Sequence, residues 1–119
     1  MKKTLVIGAS PNPSRYAYIA TMRLQEKGYP VEAYGLREGT IGEVPITTEL
    51  KQFKDIHTVT LYVGPKHQAS YFDYVLSLHP KRVIFNPGTE NPVFYELLKE
   101  NGIAYEASCT LVLLATNQY

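Results

Sequence analysis

The segment TLVIGASPNPSR, residues 4–15, is the part of the chain that decides the prediction of the fold. Residues 4–7 are apolar or β-branched and stop at Gly8, which is typical of a short buried parallel strand. The two prolines that follow prevent regular structure in the turn. Ser14 is a favourable N-cap for a helix that begins at Arg15. The segment therefore predicts a buried strand, an irregular turn and a helix in direct succession.

Helix and strand patterns alternate along the rest of the chain. The first helix places Tyr16, Ala20 and Leu24 on one apolar face, and Asn91 is a favourable N-cap for a later helix. Residues 42–46 are compatible with one further, very short strand. The predicted strands cover residues 4–7, 31–34, 59–63, 82–85 and 103–105. The predicted helices cover residues 15–27, 64–78, 92–101 and 111–115, and a further brief helix, capped by Thr47 or Thr48, is predicted to end at Phe53.

Strands that alternate with helices predict parallel pairing with right-handed crossovers. We therefore expect an α/β fold: one domain over residues 1–119, with a three-layer, Rossmann-like parallel sheet of five strands in the order 3-2-1-4-5 and helices on both faces. In such sheets the ligand binds at the carboxyl ends of the strands, near the point where the strand order reverses. The loops that would line this site are residues 8–15, 35–39, 63–67 and 86–91.

Composition narrows the classes of function. The chain has 119 residues, 45% of them hydrophobic, and a net charge of +1, so neither nucleic acid nor an acidic membrane surface is an expected partner. Nothing approaches the roughly 20 apolar residues of a membrane span. A single cysteine excludes an internal disulfide and favours a cytoplasmic location. The expected partner is a small nucleotide cofactor.

The turn after the first strand carries groups that suit a phosphate. Gly8 lets the backbone turn tightly, and the helix behind it offers unpaired N–H groups and a partial positive charge. Ser10 and Ser14 add hydroxyl donors, and Arg15 adds a cation with a forked set of donors. An ordinary strand–helix turn with a serine cap is the alternative interpretation.

The same turn lacks the G-x-G-x-x-G fingerprint, because Ser10 and Pro13 stand at the second and third glycine positions. The second predicted strand also ends without the carboxylate that NAD recognition requires for the ribose hydroxyl. Arg37 lies close to that point instead. A cation there suits a phosphorylated ribose, as in NADP or the 3′-phosphate of coenzyme A (CoA), although a solvated loop charge is the alternative.

The sequences GASPNPSR, residues 8–15, and LQEKGYPV, residues 24–31, resemble the small bacterial CoA-binding domain proteins. Those proteins are similar to the N-terminal, CoA-binding domain of the succinyl-CoA synthetase α subunit. The resemblance continues through IGEVPI, residues 41–46, YVGP, residues 62–65, and ENGIAYEASC, residues 100–109. It covers nearly the whole chain and is most specific in the turn after the first strand.

The resemblance implies a domain that cradles CoA, or an acyl-CoA, with phosphate contacts in the loop of residues 10–15. Residues 35–37 and 63–65 would approach the nucleotide, and Gly88 would lie near the pantetheine. His67 stands in the first turn after a strand, within reach of such a ligand. The candidate cofactor-binding residues are Gly8, Ala9, Ser10, Asn12, Pro13, Ser14, Arg15, Gly35, Arg37, Val63, Gly64, Pro65, His67 and Gly88.

Three positions depart from the pattern of that family. Its members usually have Asn-Pro after the second strand, where residues 34–36 of this chain are Tyr-Gly-Leu. Many have an aromatic residue followed by Gln in the fourth-strand turn, where residues 85–87 are Phe-Asn-Pro, and Arg before the late cysteine, where this chain has Ser108. These departures concern the adenine end and the far side of the pocket rather than the phosphate loop.

Neither a metal site nor a catalytic group is expected. The three histidines have no partner at ligand spacing, and Cys109 has no neighbouring base, so it is interpreted as a buried structural thiol. We therefore expect a stand-alone binding module for CoA or acyl-CoA without a complete active site. The alternatives are a small NADP-linked or acyl-CoA-handling enzyme, and a degenerate Rossmann domain used for contact with a protein partner or within a homo-oligomer.

Overall fold

A computed structural model describes residues 2–119, and a mostly parallel sheet with helices on both faces forms its centre. The strands are β1 (Thr4–Ile7), β2 (Val31–Tyr34), β3 (Gly39–Ile41), β4 (Val44–Thr47), β5 (Thr58–Leu61), β6 (Arg82–Phe85) and β7 (Ala104–Ala107). The helices are α1 (Tyr16–Glu26), α2 (Phe72–Leu78), α3 (Pro92–Glu100) and α4 (Thr110–Ala115). The α/β class with parallel strands is confirmed.

The predicted five strands in the order 3-2-1-4-5 are wrong. Over residues 2–119 the sheet has seven strands in the order β3-β4-β2-β1-β5-β6-β7, and β3 runs antiparallel to β4. The cause is the short strand β4, which pairs with β2 through Ala33 opposite Ile46. Because β4 takes the place beside β2, the strand predicted as the third one, β5, pairs with the other side of β1.

Alternate residues of the strands belong to two separate hydrophobic cores, one on each face of the sheet. Leu5 and Ile7 of β1 face α2 and α3, while Val6 between them faces α1 and α4. All three side chains are fully buried. A strand buried on both faces reads as a continuous apolar run. This explains why β1 was recognisable from its sequence.

The start of α1 differs from the prediction that Ser14 caps it. Arg15 is the N-cap, and its side chain makes no capping hydrogen bond. The Ser14 hydroxyl instead donates to Asn12 Oδ1 at 2.8 Å. The buried face is also rotated, because Ala17 packs inward and Tyr16 is 71% exposed. The small alanine side chain lets the first turn of α1 lie close to the sheet.

The brief helix predicted to end at Phe53 is absent, because residues 48–57 form an irregular connection between β4 and β5. The helix predicted over residues 64–78 is broken. It consists of two 3₁₀ turns, Pro65–His67 and Ala69–Tyr71, followed by α2. Gln68 lies between the turns and is fully buried. Its Nε2 donates to the carbonyl oxygens of Val63 at 2.8 Å and Thr89 at 2.6 Å. A buried amide must be hydrogen-bonded, so this side chain ties the segment to the turn after β6.

The two predicted caps allow a matched test. We expect Ser14→Ala to change the free energy of unfolding by less than about 0.5 kcal/mol, because only an exposed side-chain contact is lost. Asn91→Ala should cost at least about 1–2 kcal/mol, since Asn91 Oδ1 accepts from the N–H groups of Val93 and Phe94 at the start of α3. Asn91 Nδ2 also donates to the buried Gln68 Oε1 at 3.0 Å, and this bond is lost with the cap. Urea unfolding of both variants measures the difference, and equal losses would contradict the assignment.

Candidate functional site

A cleft of about 880 Å³ lies at the carboxyl ends of β1, β2 and β5. β1 pairs with β2 on one side and with β5 on the other. The connection after β1 therefore leads towards one edge of the sheet, and the connection after β5 leads towards the other. Open α/β sheets bind their ligands at this reversal, because the connecting segments diverge there and leave a crevice. The position of the cleft follows from the strand order.

The structure brings many of the predicted residues together and separates others. The predicted residues that line the cleft are Gly8, Ala9, Ser10, Arg15, Gly35, Arg37, Val63, Gly64 and His67. Those outside its lining are Asn12, Pro13, Ser14, Pro65 and Gly88. Gly88 N donates to Glu90 Oε1 at 2.8 Å, so its turn is closed on itself.

Two glycines allow the main chain to converge at the base of the cleft. The N–H groups of Gly8 and Ala9 both donate to Tyr34 O, at 3.0 and 2.9 Å. A Cβ at Gly35 would lie 2.1 Å from Ala9 O, and a Cβ at Gly8 would lie 2.8 Å from Tyr62 O. Gly8 also has φ +99°, in the left-handed region. The ends of β1, β2 and β5 can therefore approach only because these residues lack side chains.

The loop between β1 and α1 is held by its own side chains. Ser10 Oγ accepts from Asn12 N at 3.1 Å, and Asn12 Oδ1 accepts from Ser14 N at 3.0 Å. Arg15 N donates to Asn12 O at 3.1 Å. Asn12 thus closes the turn, as a short amide side chain does when it bonds to the backbone two residues on. The loop presents Arg15 at the cleft, whereas Asn12 and Ser14 face each other.

Positive charge dominates the lining of the cleft. Arg15, Arg37 and Lys66 line it, are exposed, and form no ion pair within residues 2–119. Among the described residues no carboxylate lines the cleft. Lys66 is not among the candidate residues from the sequence, because a lysine in the first turn after a strand has no distinctive sequence signal. A cleft with three unpaired cations and no acid is suited to a polyanion.

Four tyrosines line the cleft: Tyr16, Tyr34, Tyr62 and Tyr71. The rings of Tyr34 and Tyr71 meet edge to face, with centroids 5.7 Å apart. Burial and the neighbouring Tyr34 hydroxyl raise the pKa of Tyr71 to about 12. Burial also raises the pKa of Tyr62, whose hydroxyl has no hydrogen-bond partner in the described part of the chain. Both phenols are therefore neutral at physiological pH and leave the positive potential of the cleft unchanged.

Two apolar side chains stand at the rim. Tyr16, in the first turn of α1, is 71% exposed, and Leu36, after β2, is 82% exposed. Both line the cleft. Large apolar side chains that face water beside a cleft are typical of a contact surface for a ligand or a partner. The sequence predicted Tyr16 to be buried, and only the rotation of α1 reveals its place at the rim.

The described residues contain neither a cluster of metal ligands nor a helix that could span a membrane. Within residues 2–119 no group of three or more His, Cys, Asp and Glu side chains is close enough together to hold a metal ion. Across the same residues no helix is both long and apolar enough to cross a membrane. Cys109, predicted to be buried, is only half-buried, because it stands at the end of the connection that directly precedes α4.

Comparison with solved structures supports the fold closely. A crystal structure of an uncharacterized protein is 46% identical, with a TM-score of 0.97, and the match covers 100% of this chain and 98% of that one. A Thermus thermophilus protein is 28% identical, with a TM-score of 0.86 and coverage of 99% and 90%. A hypothetical protein from Pyrococcus horikoshii OT3 is 26% identical, with a TM-score of 0.86 and coverage of 98% and 83%.

Comparison of sequences gives the family. Among curated proteins there is no match to the chain. The family model described as the CoA binding domain matches residues 2–115, which is nearly the whole length. The resemblance inferred from residues 8–15 and from the later segments is thereby confirmed. With its parallel sheet, its cleft at the strand reversal and this match, the chain belongs to the CoA-binding domain family.

Proposed function

We propose that this chain binds CoA or an acyl-CoA in the cleft, as a binding module rather than a complete enzyme. The observation that carries the proposal is the charge of the cleft: Arg15, Arg37 and Lys66 line it without ion-pair partners. CoA carries a diphosphate and a separate 3′-phosphate. A ligand with phosphates at two places suits cations on different loops better than a ligand with a single charged group.

The rest of the lining supports the same class of ligand. Tyr16 offers an exposed ring on which a nucleobase can stack, an interaction that contributes about 1–3 kcal/mol per base. Leu36, after β2, adds a second exposed apolar side chain to the lining. Neutral tyrosines cover the floor. A nucleotide with an aromatic base and an uncharged arm meets complementary groups in each of these regions.

The segment after β2 argues against NAD. Gly35, Leu36 and Arg37 follow the strand and line the cleft, which has no carboxylate to accept a hydrogen bond from the ribose hydroxyl. Arg37 in that place favours a phosphorylated ribose. CoA and NADP both have one, so the two must be compared directly.

Replacing Arg15 tests the proposal. We expect calorimetry to show that wild-type protein binds CoA more tightly than NADP or NAD. Arg15→Ala should weaken CoA binding about tenfold to a hundredfold, because a charge-assisted hydrogen bond contributes about 1.5–3 kcal/mol. The melting temperature should stay unchanged, since Arg15 is exposed and its side chain makes no capping bond.

Arg23→Ala is the matched control, since Arg23 lies on the same helix, away from the cleft, and its only ion pair is a weak one to Glu26 at 3.8 Å. It removes the same charge and should leave CoA affinity within about twofold of wild type. Equal losses in the two variants would reduce the role of Arg15 to that of a general surface charge. Binding of NAD with no binding of CoA would overturn the proposed function.

A further inference from the structure

Helix α4 is apolar on all sides, although the rest of the chain covers it only in part. Its last five residues, 111–115, are Leu-Val-Leu-Leu-Ala. Leu114 is buried, whereas Val112 is 56% exposed and Ala115 is exposed as well. A helix that is apolar all round is normally buried all round. The exposed side of α4 is therefore apolar surface that residues 2–119 leave to water.

A groove of about 420 Å³ lies between α4 and the C-terminal half of α1. Four apolar and two basic residues line it: Ile19, Leu111, Leu114, Ala115, Arg23 and Lys27. Val112 is three residues before Ala115, so the two side chains are neighbours on the surface of α4. One face of the molecule thus carries an apolar hollow and, directly beside it, a projecting apolar side chain.

The exposed charges beside the groove have both signs. Arg23, Glu26 and Lys27 lie on one face of α1, since residues three or four apart are neighbours on a helix. The side chains of Arg23 and Glu26 are 59% and 57% exposed, and the 3.8 Å between their charged atoms is a loose contact. A partner with charge of one sign would meet a like charge here. A second copy brings the same mixture and can set its acid against a cation.

A second copy also suits the shape of this face. A two-fold interface uses the same surface on both molecules, so that surface must carry the hollow and the projection together. With 11 residues α1 is about 16 Å long, and with α4 packed beside it the face is about 20 Å wide. This is the small end for a protein interface, and it indicates a weak dimer whose population depends on concentration.

We propose that the face formed by α1 and α4 is the contact surface between two copies of this chain, related by a two-fold axis. Val112 of each copy packs into the groove of the other, and Glu26 of each copy meets Arg23 of the other. Among the described residues none lines both the groove and the cleft. The dimer surface is therefore separate from the cleft, and the inference does not depend on the proposed function.

Sedimentation velocity between about 5 and about 500 µM tests the inference, because a small interface dissociates within that range. We expect the wild-type chain to be monomeric at the low end and increasingly dimeric at the high end. Val112→Asp should weaken self-association at least about tenfold, since each dimer would have to bury two unpaired carboxylates. The variant should still fold, because Val112 is exposed and an acid suits the first turn of a helix.

Val93→Asp is the matched control. Val93 is 64% exposed and lies in the first turn of α3, which packs on the other face of the sheet. This variant should dimerise like wild type. Equal behaviour of the two Asp variants would overturn the inference, and so would a wild-type chain that stays monomeric at about 500 µM. Assemblies that grow beyond two copies would also overturn it, because a two-fold contact closes at the dimer.

An exchange of charges decides the question even if Val112→Asp fails to fold. Glu26→Arg should weaken the dimer about fivefold or more, because the pair with Arg23 occurs twice and becomes repulsive in both places. The double variant Arg23→Glu, Glu26→Arg should return to within about twofold of wild type, since the cross-copy pairs form again with reversed signs. Melting temperatures should stay level because both side chains are exposed. A double variant as weak as Glu26→Arg would overturn the proposed two-fold pairing.

Discussion

Gly35→Ala is expected to lower the free energy of unfolding by about 3 kcal/mol, the upper end for forcing an extra carbon into a packed region. The added Cβ would lie 2.1 Å from Ala9 O and 3.3 Å from Ile46 Cγ2. Backbone cannot move aside as the end of a flexible side chain can. Relief of the collision requires the turn after β1 to separate from the end of β2, which breaks the hydrogen bonds from Gly8 N and Ala9 N to Tyr34 O.

The same displacement would alter the cleft, because Gly8, Ala9 and Gly35 all line it. Urea unfolding measures the loss of stability, and calorimetry with CoA should show weaker binding in the protein that remains folded. Gly64→Ala is the matched control: it is the same substitution, in the same cleft, at a position with open space. A Gly35→Ala variant as stable as Gly64→Ala would show that the two strand ends do not meet as closely as described.

Tyr119→Ala is expected to cost about 3–5 kcal/mol, the range for removing a large aromatic side chain from a core. Tyr119 is only 6% exposed. Its hydroxyl and Thr4 Oγ1 form a hydrogen bond of 2.6 Å, and the Arg82 guanidinium lies 4.5 Å from the centre of its ring. The ring also meets Tyr29 edge to face, at 5.0 Å between centroids. One side chain thus joins the start of β1 to β6 and to the segment after α1.

Tyr119→Phe is the control, since it keeps the ring and removes only the hydroxyl, with an expected cost of about 1 kcal/mol. Thermal melts of the two variants separate packing from hydrogen bonding. Thr4 begins β1, at the end of the sheet opposite the cleft, so CoA affinity of folded Tyr119→Phe should match wild type. A loss below about 1 kcal/mol for Tyr119→Ala would contradict the anchoring role.

Part of the candidate site was readable from sequence because its groups are close together in the chain. Gly8 and Arg15 lie in one strand–turn–helix segment, and local rules predict that such a turn meets the ligand end of a parallel sheet. Arg37 was found by its position just after a predicted strand. Lys66 and Tyr16 join the cleft only after the segment of 3₁₀ turns and the rotation of α1 are known. Whether the predicted residues contact CoA stays a prediction.

The Ser14 cap shows how two local rules compete. Serine before a helix is a good cap. Here, however, Asn12, two residues earlier, closes the turn, and its Oδ1 accepts hydrogen bonds from both the Ser14 N–H and the Ser14 hydroxyl. Both outcomes obey short-range hydrogen-bond rules, and no pattern in residues 10–15 ranks them. Two residues before Asn91 stands Thr89, whose hydroxyl donates to Asn86 O at 2.7 Å rather than to Asn91, and the predicted cap of α3 is confirmed.

The amino-acid sequence by itself determined the local elements: strands β1, β2 and β6, the cap of α3 and the glycine turn after β1. Each depends on a few consecutive residues whose branching, burial pattern or hydrogen-bonding side chain favours one backbone conformation. Only the tertiary structure decided the strand order, the broken segment around Gln68 and the place of Lys66 in the cleft. Those features depend on packing and hydrogen bonds between residues far apart in the chain, such as Gln68 with Thr89 and β4 with β2, which no local pattern encodes.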